Sequence, residues 1–327
     1  MFTLFISETK LAGVPGLSAA GANVDVLPYT APADADMLFY DRPKVVDCVP
    51  LDPFGHPTPA IVTRAAILEG KFPVRAVRVG NTVTPAAPFT DLSAVPGGDP
   101  RLGPSVMDWE QIKAGAEKLA RETSDSLQVV AESVPGGTTT ALLLLRSLGY
   151  QGTVSSAGPV NPLSLKENIW NSVSARLGIG VGGLRGRGLE AAAEVGDPMQ
   201  VAAASYVAAL PDDAEVVLAG GTQMLAVAAL LRDLGVKRDL LVATTKYVAN
   251  DKTSCFDRYA REIGVRTYAA PLDFSHSKYR GLSDYENGFI KEGVGMGGAV
   301  WYAARNGSTV EKVVKRTEEL YMCMVGD

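Results

Sequence analysis

The chain has 327 residues, 46% of them hydrophobic, and a formal net charge of −5. That length can bury a large α/β core, and the balance excludes both a disordered chain and a strongly basic nucleic-acid binder. No apolar run approaches the roughly 20 residues of a membrane span, and three scattered cysteines with two histidines offer no C-x-x-C pair and no multi-histidine metal set.

Residues 1–105 are rich in Pro and Gly. The opening MFTLFISETK has its lysine only after the apolar residues, which makes a poor signal peptide. Strand-like pieces occur at 36 DMLFY 40 and 44 KVVDCV 49, and a helix is predicted to start near Thr58-Pro59. The stretch 80–104 has no periodicity and reads as a long loop. From 106 to 275 the elements alternate regularly. Helix 108–123, strand 126–131 and helix 138–148 come first, then a strand near 151–155 and helices near 161–177 and 197–209. Strand 214–219, helix 222–234, strand 239–244, helix 252–263 and strand 265–270 follow. Such alternation implies right-handed βαβ units, hence an α/β fold with a doubly wound parallel sheet and helices on both faces. The tail, 276–327, is a helical segment with two helices within 292–322. A cytoplasmic protein with no cofactor, no metal and no membrane partner is expected.

Two stretches follow one plan. VVAESVPGGTTTALLLLRSLG (129–149) and VVLAGGTQMLAVAALLRDLG (216–235) each run from an apolar strand through Gly-Gly-Thr into a helix ending Leu-Arg-x-Leu-Gly. A glycine turn lets backbone N–H groups approach a ligand, and the following helix start adds positive partial charge, which together suit a phosphate. Thr138, Thr139 and Thr140 add hydroxyls or cap the helix. One such turn is an ordinary capped βα connection. Two at the carboxyl ends of parallel strands point to a ligand site, with both turns on one edge of the sheet. No lysine follows the glycines, so neither is a Walker A loop. The G-x-G-x-x-G from Gly178 to Gly183 follows a helical segment, not a strand, and reads as a loop in which Arg185 and Arg187 are solvated. By itself Glu292, at the start of a Gly-rich helix in 285 YENGFIKEGVGMGGAVWYAA 304, complements a helix dipole. Lys166 in 161 NPLSLKENIW 170 is an ordinary helix-face lysine.

Taken together, ESVPGGTTTA (132–141), NPLSLK (161–166), VGDPMQ (195–200), LAGGTQMLAVAAL (218–230), ATTKYVANDK (243–252) and YENGFIKEGVGMGGA (285–299) resemble the nicotinate-nucleotide–dimethylbenzimidazole phosphoribosyltransferases, in the divergent branch found in archaea and some bacteria. HPTPAIVTRA (56–65) and AGANVDVLPYTAPADADM (20–37) match as well, so the resemblance covers nearly the whole chain. It implies a small domain built from the chain ends beside the α/β domain, and a homodimer. Residues 1–105 would contribute to that small domain and the base pocket, 106–275 would be the nucleotide-binding core, and 276–327 would carry the catalytic carboxylate. The implied activity is phosphoribosyl transfer from nicotinate mononucleotide to an azole base, 5,6-dimethylbenzimidazole or a related one. The product is an α-ribazole-type 5′-phosphate for a cobamide lower ligand. The resemblance places the catalytic carboxylate at Glu292, with Glu132 as the second carboxylate. It places substrate contacts at Gly136, Gly137, Thr138, Thr139, Lys166, Gly220, Gly221, Thr222, Gly293 and Gly295. The central loop departs from the family's Gly-x-Gly-Asn-Thr-Thr, which leaves the acceptor open among azoles, purines and phenolic bases. A non-catalytic nucleotide- or base-binding protein of the same fold is the alternative. A phosphatase or small-molecule kinase is disfavoured, because the chain has no Walker A loop and no clustered Asp metal set.

Overall fold

The computed structural model describes residues 1–18, 24–48, 51–52 and 54–325. Its single sheet contains β1 (Phe2–Ile6), β2 (Val74–Val79), β3 (Phe89–Ser93), β4 (Leu127–Ser133), β5 (Glu215–Ala219), β6 (Leu240–Thr245) and β7 (Arg266–Ala270). The order across the sheet is β3-β2-β1-β4-β5-β6-β7, and every pairing is parallel. This is the doubly wound order, in which the winding reverses between β1 and β4. Residues 1–105 supply three of the seven strands.

The first helices in the chain are α1 (Leu27–Phe39), α2 (Ala60–Gly70), α3 (Trp109–Arg121), α4 (Gly137–Ser147), α5 (Leu163–Leu177) and α6 (Gly188–Val195). They are followed by α7 (Pro198–Ala209), α8 (Thr222–Asp233), α9 (Lys246–Ala249), α10 (Phe256–Ile263), α11 (Arg280–Ser283), α12 (Met296–Arg305) and α13 (Val310–Val325). The central strands are apolar at consecutive positions because both faces are covered. Val130, Leu218 and Val242 point into one core with α3, α4, α7 and α8. Their neighbours Val129, Val217 and Leu241 point into the other, formed with α1, α2, α12 and α13. No described helix is long and apolar enough to cross a membrane.

Three strand expectations fail for identifiable reasons. Residues 36–39 end α1, whose Ala31, Ala35 and Leu38 are buried in the second core, so helical periodicity outweighs the local aromatic content. Residues 44–48 form bends; the Lys44 and Val45 amides donate to the Asp36 carboxylate instead of to a ladder. Residues 151–155 are not a strand either. Their carbonyls are taken outside any sheet, with Thr153 O accepting from Cys255 N, Val154 O from Asn161 Nδ2 and Ser155 O from Lys166 Nζ. Conversely, the 80–104 stretch contains β3. An edge strand with one neighbour is mostly half-exposed, so FTDLS shows no apolar run. Residues 20–23 of the 20–37 motif and Val49 of the 44–49 piece lie outside the described residues.

Helix α12 lies directly on the sheet through its glycines. A Cβ at Gly298 would stand 2.2 Å from Ala219 Cβ and 2.9 Å from Ala219 Cα. Since Ala219 is strand backbone in the middle of the sheet, Gly298→Ala should destabilise the fold by about 1–3 kcal/mol through overpacking. Urea unfolding checks this; a midpoint equal to that of the wild type would show that α12 can move off the sheet freely.

Candidate active site

Both Gly-Gly-Thr turns leave adjacent parallel strands, β4 and β5, at their carboxyl ends, so they share one edge of the sheet as expected. In the first turn the chain leaves Glu132-Ser133 and swings through Gly136, whose φ of 81° places it in the left-handed region. A side chain there would also meet Ala12 N at 3.0 Å. Gly137 does not have positive φ; it is small for another reason. A Cβ on it would lie 1.7 Å from Gln223 Oε1, so the second turn's glutamine lies across the first turn's glycine. Thr138 faces the cavity. Thr139 and Thr140 are fully buried, as the 100° step between helical residues requires. Thr140 Oγ1 reaches Asp197 Oδ2 at 2.5 Å, and burial pushes the Asp197 carboxyl up to about 6.

The second turn is flanked by two carboxyls. A Cβ on Gly220 would stand 3.4 Å from Glu132 Oε1, and one on Gly221 would stand 3.7 Å from Glu292 Cγ. Glu132 is 1% exposed. Burial, reinforced by the nearby Glu292, Asp197 and Asp34 carboxyls, holds its pKa well above the usual carboxylate range, and the Gln223 side chain opposes this only in part. Glu292 sits in the loop before α12. It accepts from Thr244 Oγ1 at 3.2 Å and from the amides of Gly293 at 3.3 Å and Gly297 at 3.2 Å. Burial outweighs these bonds and pushes its pKa up to about 7.

The loop that carries Glu292 is strained. Ile290 (φ 52°) and Val294 (φ 54°) are β-branched residues in the left-handed region, a conformation that costs about 1–3 kcal/mol each and clusters at functional sites. Tertiary bonds hold it: Thr63 Oγ1 donates to Val294 O at 2.9 Å and Thr245 Oγ1 to Lys291 O at 2.5 Å. Lys291 Nζ is paired with Asp251 Oδ2 at 2.9 Å, and Ser155 Oγ donates to the same oxygen at 2.7 Å.

These parts enclose a cleft of about 430 Å³, within the ordinary size of a small-molecule site. Of the residues expected at a site, Glu132, Glu292, Gly136, Gly137, Thr138, Gly221, Thr222 and Gly293 line it. Gly220 backs Glu132, while Thr139 is buried behind the turn. Gly295 packs α12 on the sheet, where a Cβ would lie 2.5 Å from Ala131 Cβ. Lys166 is 1% exposed and lies outside this cleft; its Nζ donates to Ser155 O at 2.8 Å and Asn161 Oδ1 at 3.0 Å, and burial lowers its pKa to about 7. It positions the 155–161 segment that forms a wall of the cleft.

Among the lining residues that sequence reasoning missed are Asp34, His56, Gln223 and Lys291. Asp34 accepts from Thr58 Oγ1 at 2.6 Å and Ser133 Oγ at 2.7 Å, and burial pushes it up to about 6. His56 stands between Asp52 (2.7 Å) and Asp284 (3.2 Å) and stacks on Phe289. Their signals were adjacency: Gln223 follows Thr222, Lys291 precedes Glu292, and Asp34 and His56 lie inside matched motifs. Among the described residues no group of three or more His, Cys, Asp or Glu side chains is placed to hold a metal ion.

Fold and cleft together define a doubly wound α/β protein with a candidate ligand cleft at the carboxyl edge, beside the reversal of strand order, lined by carboxyls whose pKa values burial raises. The chain belongs to the UPF0284 family. It is 46% identical over 331 residues to the UPF0284 protein of Pyrococcus furiosus, covering 99% of each chain. It is 40% identical over 329 residues to that of Methanosarcina mazei, covering 99% of this chain and 94% of the other. No protein-family model matches the chain. Among solved structures, a nicotinate-nucleotide-dimethylbenzimidazole phosphoribosyltransferase from Thermus thermophilus superposes with a TM-score of 0.63 at 18% identity, over 98% of this chain and 82% of that one. A structure of CobT from the same organism gives 0.58 at 19% identity, over 95% and 84%. The motif resemblance to that phosphoribosyltransferase group is thus accompanied by a shared fold.

Carboxyls with raised pKa values make stability depend on pH. Asp34 and Glu292 have folded pKa values raised above their unfolded ones, to about 6 and about 7. Their contribution is therefore complete below pH ~4 and is lost as pH rises to about 7, because only the unfolded state ionises early. Asp34→Asn removes one of these groups. Between pH 4 and 7 it should lose less stability than the wild type, by on the order of 2 kcal/mol. Parallel pH profiles of denaturant midpoints for both proteins would refute this environment for Asp34.

Proposed function

We propose that the chain is a phosphoribosyltransferase that moves the 5-phosphoribosyl group of nicotinate mononucleotide to an azole base. The products are nicotinate and an α-ribazole-type 5′-phosphate for a cobamide lower ligand. The observation that carries this reading is Glu292, a half-buried carboxyl whose pKa is raised to about 7, at the wall of the cleft beside the glycine turn of β5. The fold shared with the Thermus phosphoribosyltransferase supports it. The same resemblance implies a homodimer acting on small molecules in the cytoplasm, with the chain ends shaping the base pocket.

The chemistry suits the residues. The helix starts at Gly137 and Thr222 offer positive partial charge to the phosphate. The pyridinium of nicotinate mononucleotide is already a good leaving group. The acceptor nitrogen attacks C1′ in line as the C1′–pyridinium bond breaks; its electron pair neutralises the ring nitrogen, and the β-linkage inverts to α. The azole N–H proton passes to Glu292. Holding both reactants in one cleft supplies most of the acceleration, and the base supplies the rest.

Glu292→Gln keeps the shape and removes the base, so turnover with neutral 5,6-dimethylbenzimidazole should fall roughly 10²–10⁴-fold while nucleotide affinity changes little. In the wild type kcat/KM should rise as pH passes about 7, where Glu292 loses its proton, and the variant should lack that rise. Nicotinate release followed by mass spectrometry decides. Undiminished turnover in the variant removes Glu292 from the role, and no release from the wild type with any azole, purine or phenolic base favours a binding protein.

A further inference from the structure

Two of the matched motifs, NPLSLK (161–166) and ATTKYVANDK (243–252), take no direct part in the cleft chemistry above. The structure joins them at one carboxylate, Asp251, in the connection between α9 and α10. Its Oδ1 accepts from Thr253 N at 3.0 Å and Thr253 Oγ1 at 2.7 Å. Its Oδ2 accepts from Ser155 Oγ at 2.7 Å and Lys291 Nζ at 2.9 Å. Three segments therefore meet there: the loop after β6, the 155–161 wall and the loop that carries Glu292. Asn161 and Lys166 brace the same junction, since Asn161 Nδ2 donates to Thr253 Oγ1 at 2.9 Å and Lys166 Nζ to the Ser155 carbonyl. Burial opposes ionisation of Asp251, but the bonds from Thr253, Lys291 and Ser155 outweigh it and hold its pKa below the usual carboxylate value.

Lys291 immediately precedes Glu292. Among the described residues lining the cleft it is the only lysine or arginine. Its charge is already matched by Asp251, and the two side chains are only 8% and 4% exposed. The pair therefore serves the backbone beside Glu292. That backbone needs an anchor, because Ile290 and Val294, on either side, both hold positive φ. Such a conformation persists only where the surrounding structure over-determines it. A buried ion pair is a firm anchor, since breaking it leaves an unmatched buried charge. Glu132 is the titratable group next to Glu292, and Asp251 and Lys166 are the charged groups next to Lys291.

We infer that Asp251 is a positioning residue for Glu292, acting through Lys291: the buried ion pair holds the strained loop so that the Glu292 carboxyl stays packed beside Gly221. The inference rests on the reading above for the role of Glu292 as proton acceptor, but it concerns placement and not transfer. Anchoring and simple charge interaction make opposite demands on one substitution. Lys291→Met removes a positive charge next to Glu292, and charge alone would then raise the Glu292 pKa. Loss of the anchor instead lets the loop relax and water reach the carboxyl, which lowers the pKa toward that of an exposed carboxylate.

Carbon-13 NMR of glutamate-labelled protein, with the Glu292 signal assigned by its loss in Glu292→Gln, reads that titration without any turnover. In Lys291→Met the midpoint should fall by about one pH unit or more. Asp251 keeps its bonds from Thr253 and Ser155 in this variant, so the chain should fold. Lys291→Gln carries the same opposition of sign and replaces it if it does not. Asp251→Asn, equal in volume, should lower the midpoint as well. A midpoint that is unmoved or raised in the Lys291 variant, or unmoved in Asp251→Asn, overturns the inference. With nicotinate mononucleotide and 5,6-dimethylbenzimidazole, kcat of the Lys291 variant should fall roughly 10–100-fold while KM for the nucleotide stays within about threefold. The rise of kcat/KM near pH 7 should move down with the titration. A lowered midpoint in a protein whose wild type releases no nicotinate leaves the positioning standing and removes the transferase. Transfer by the wild type with an unmoved midpoint in the variants does the reverse.

Discussion

The site depends on one steric fact, the absence of side chains at Gly220 and Gly221. Glu132 and Glu292 come from elements far apart in sequence, yet each lies against one of these adjacent glycines. A Cβ at Gly220 would meet Met224 Cγ at 2.9 Å and crowd Glu132 as well. The close approach of the two carboxyls to the end of β5 buries Glu132 and half-buries Glu292. Burial in turn raises their pKa values and turns ordinary acids into groups that hold a proton far more tightly than exposed ones, Glu292 up to about neutrality.

The same crowding explains why the Glu292 loop tolerates strain. Ile290 and Val294 hold a backbone conformation that β-branched residues avoid. Hydroxyls from two structural units fasten that loop: Thr63 from α2, and Thr244 and Thr245 from the end of β6. A network on the far wall does equivalent work for residues 155–161. There Asp251 accepts from Ser155 and Lys291, and Lys166 holds the Ser155 carbonyl and the Asn161 amide oxygen. Two buried lysines stand near one carboxylate there.

Kinship and fold bear on different parts of this picture. The UPF0284 relatives match the chain end to end, which fixes the family without assigning a reaction. The Thermus phosphoribosyltransferase shares the architecture at 18% identity, so it supports the reading of the cleft through the fold and not through matching detail. The weight of the functional reading therefore falls on the cleft's own chemistry. Burial raises the pKa values of its carboxyls, its glycine turns present backbone, and three of its polar atoms are without partners.

The sequence by itself determined the α/β class, the alternation of elements from 106 to 275, and both Gly-Gly-Thr turns at strand ends. These follow from local periodicity and from glycine's lack of a Cβ, which are properties of short segments. It also singled out Glu132 and Glu292, through motifs long enough to carry a resemblance. Only the tertiary structure decided what those residues face. It showed Lys166 buried against Ser155 and Asn161, outside the cleft, and Thr139 buried behind its own turn. It placed 36–39 in a helix and recovered β3 from an apparent loop. It alone brought Asp34, His56, Gln223 and Lys291 to the cleft. The reason is that a side chain's partners lie across the sheet edge, tens or hundreds of residues away, and both its burial and its proton affinity are set by that distant surface and not by its neighbours in the chain.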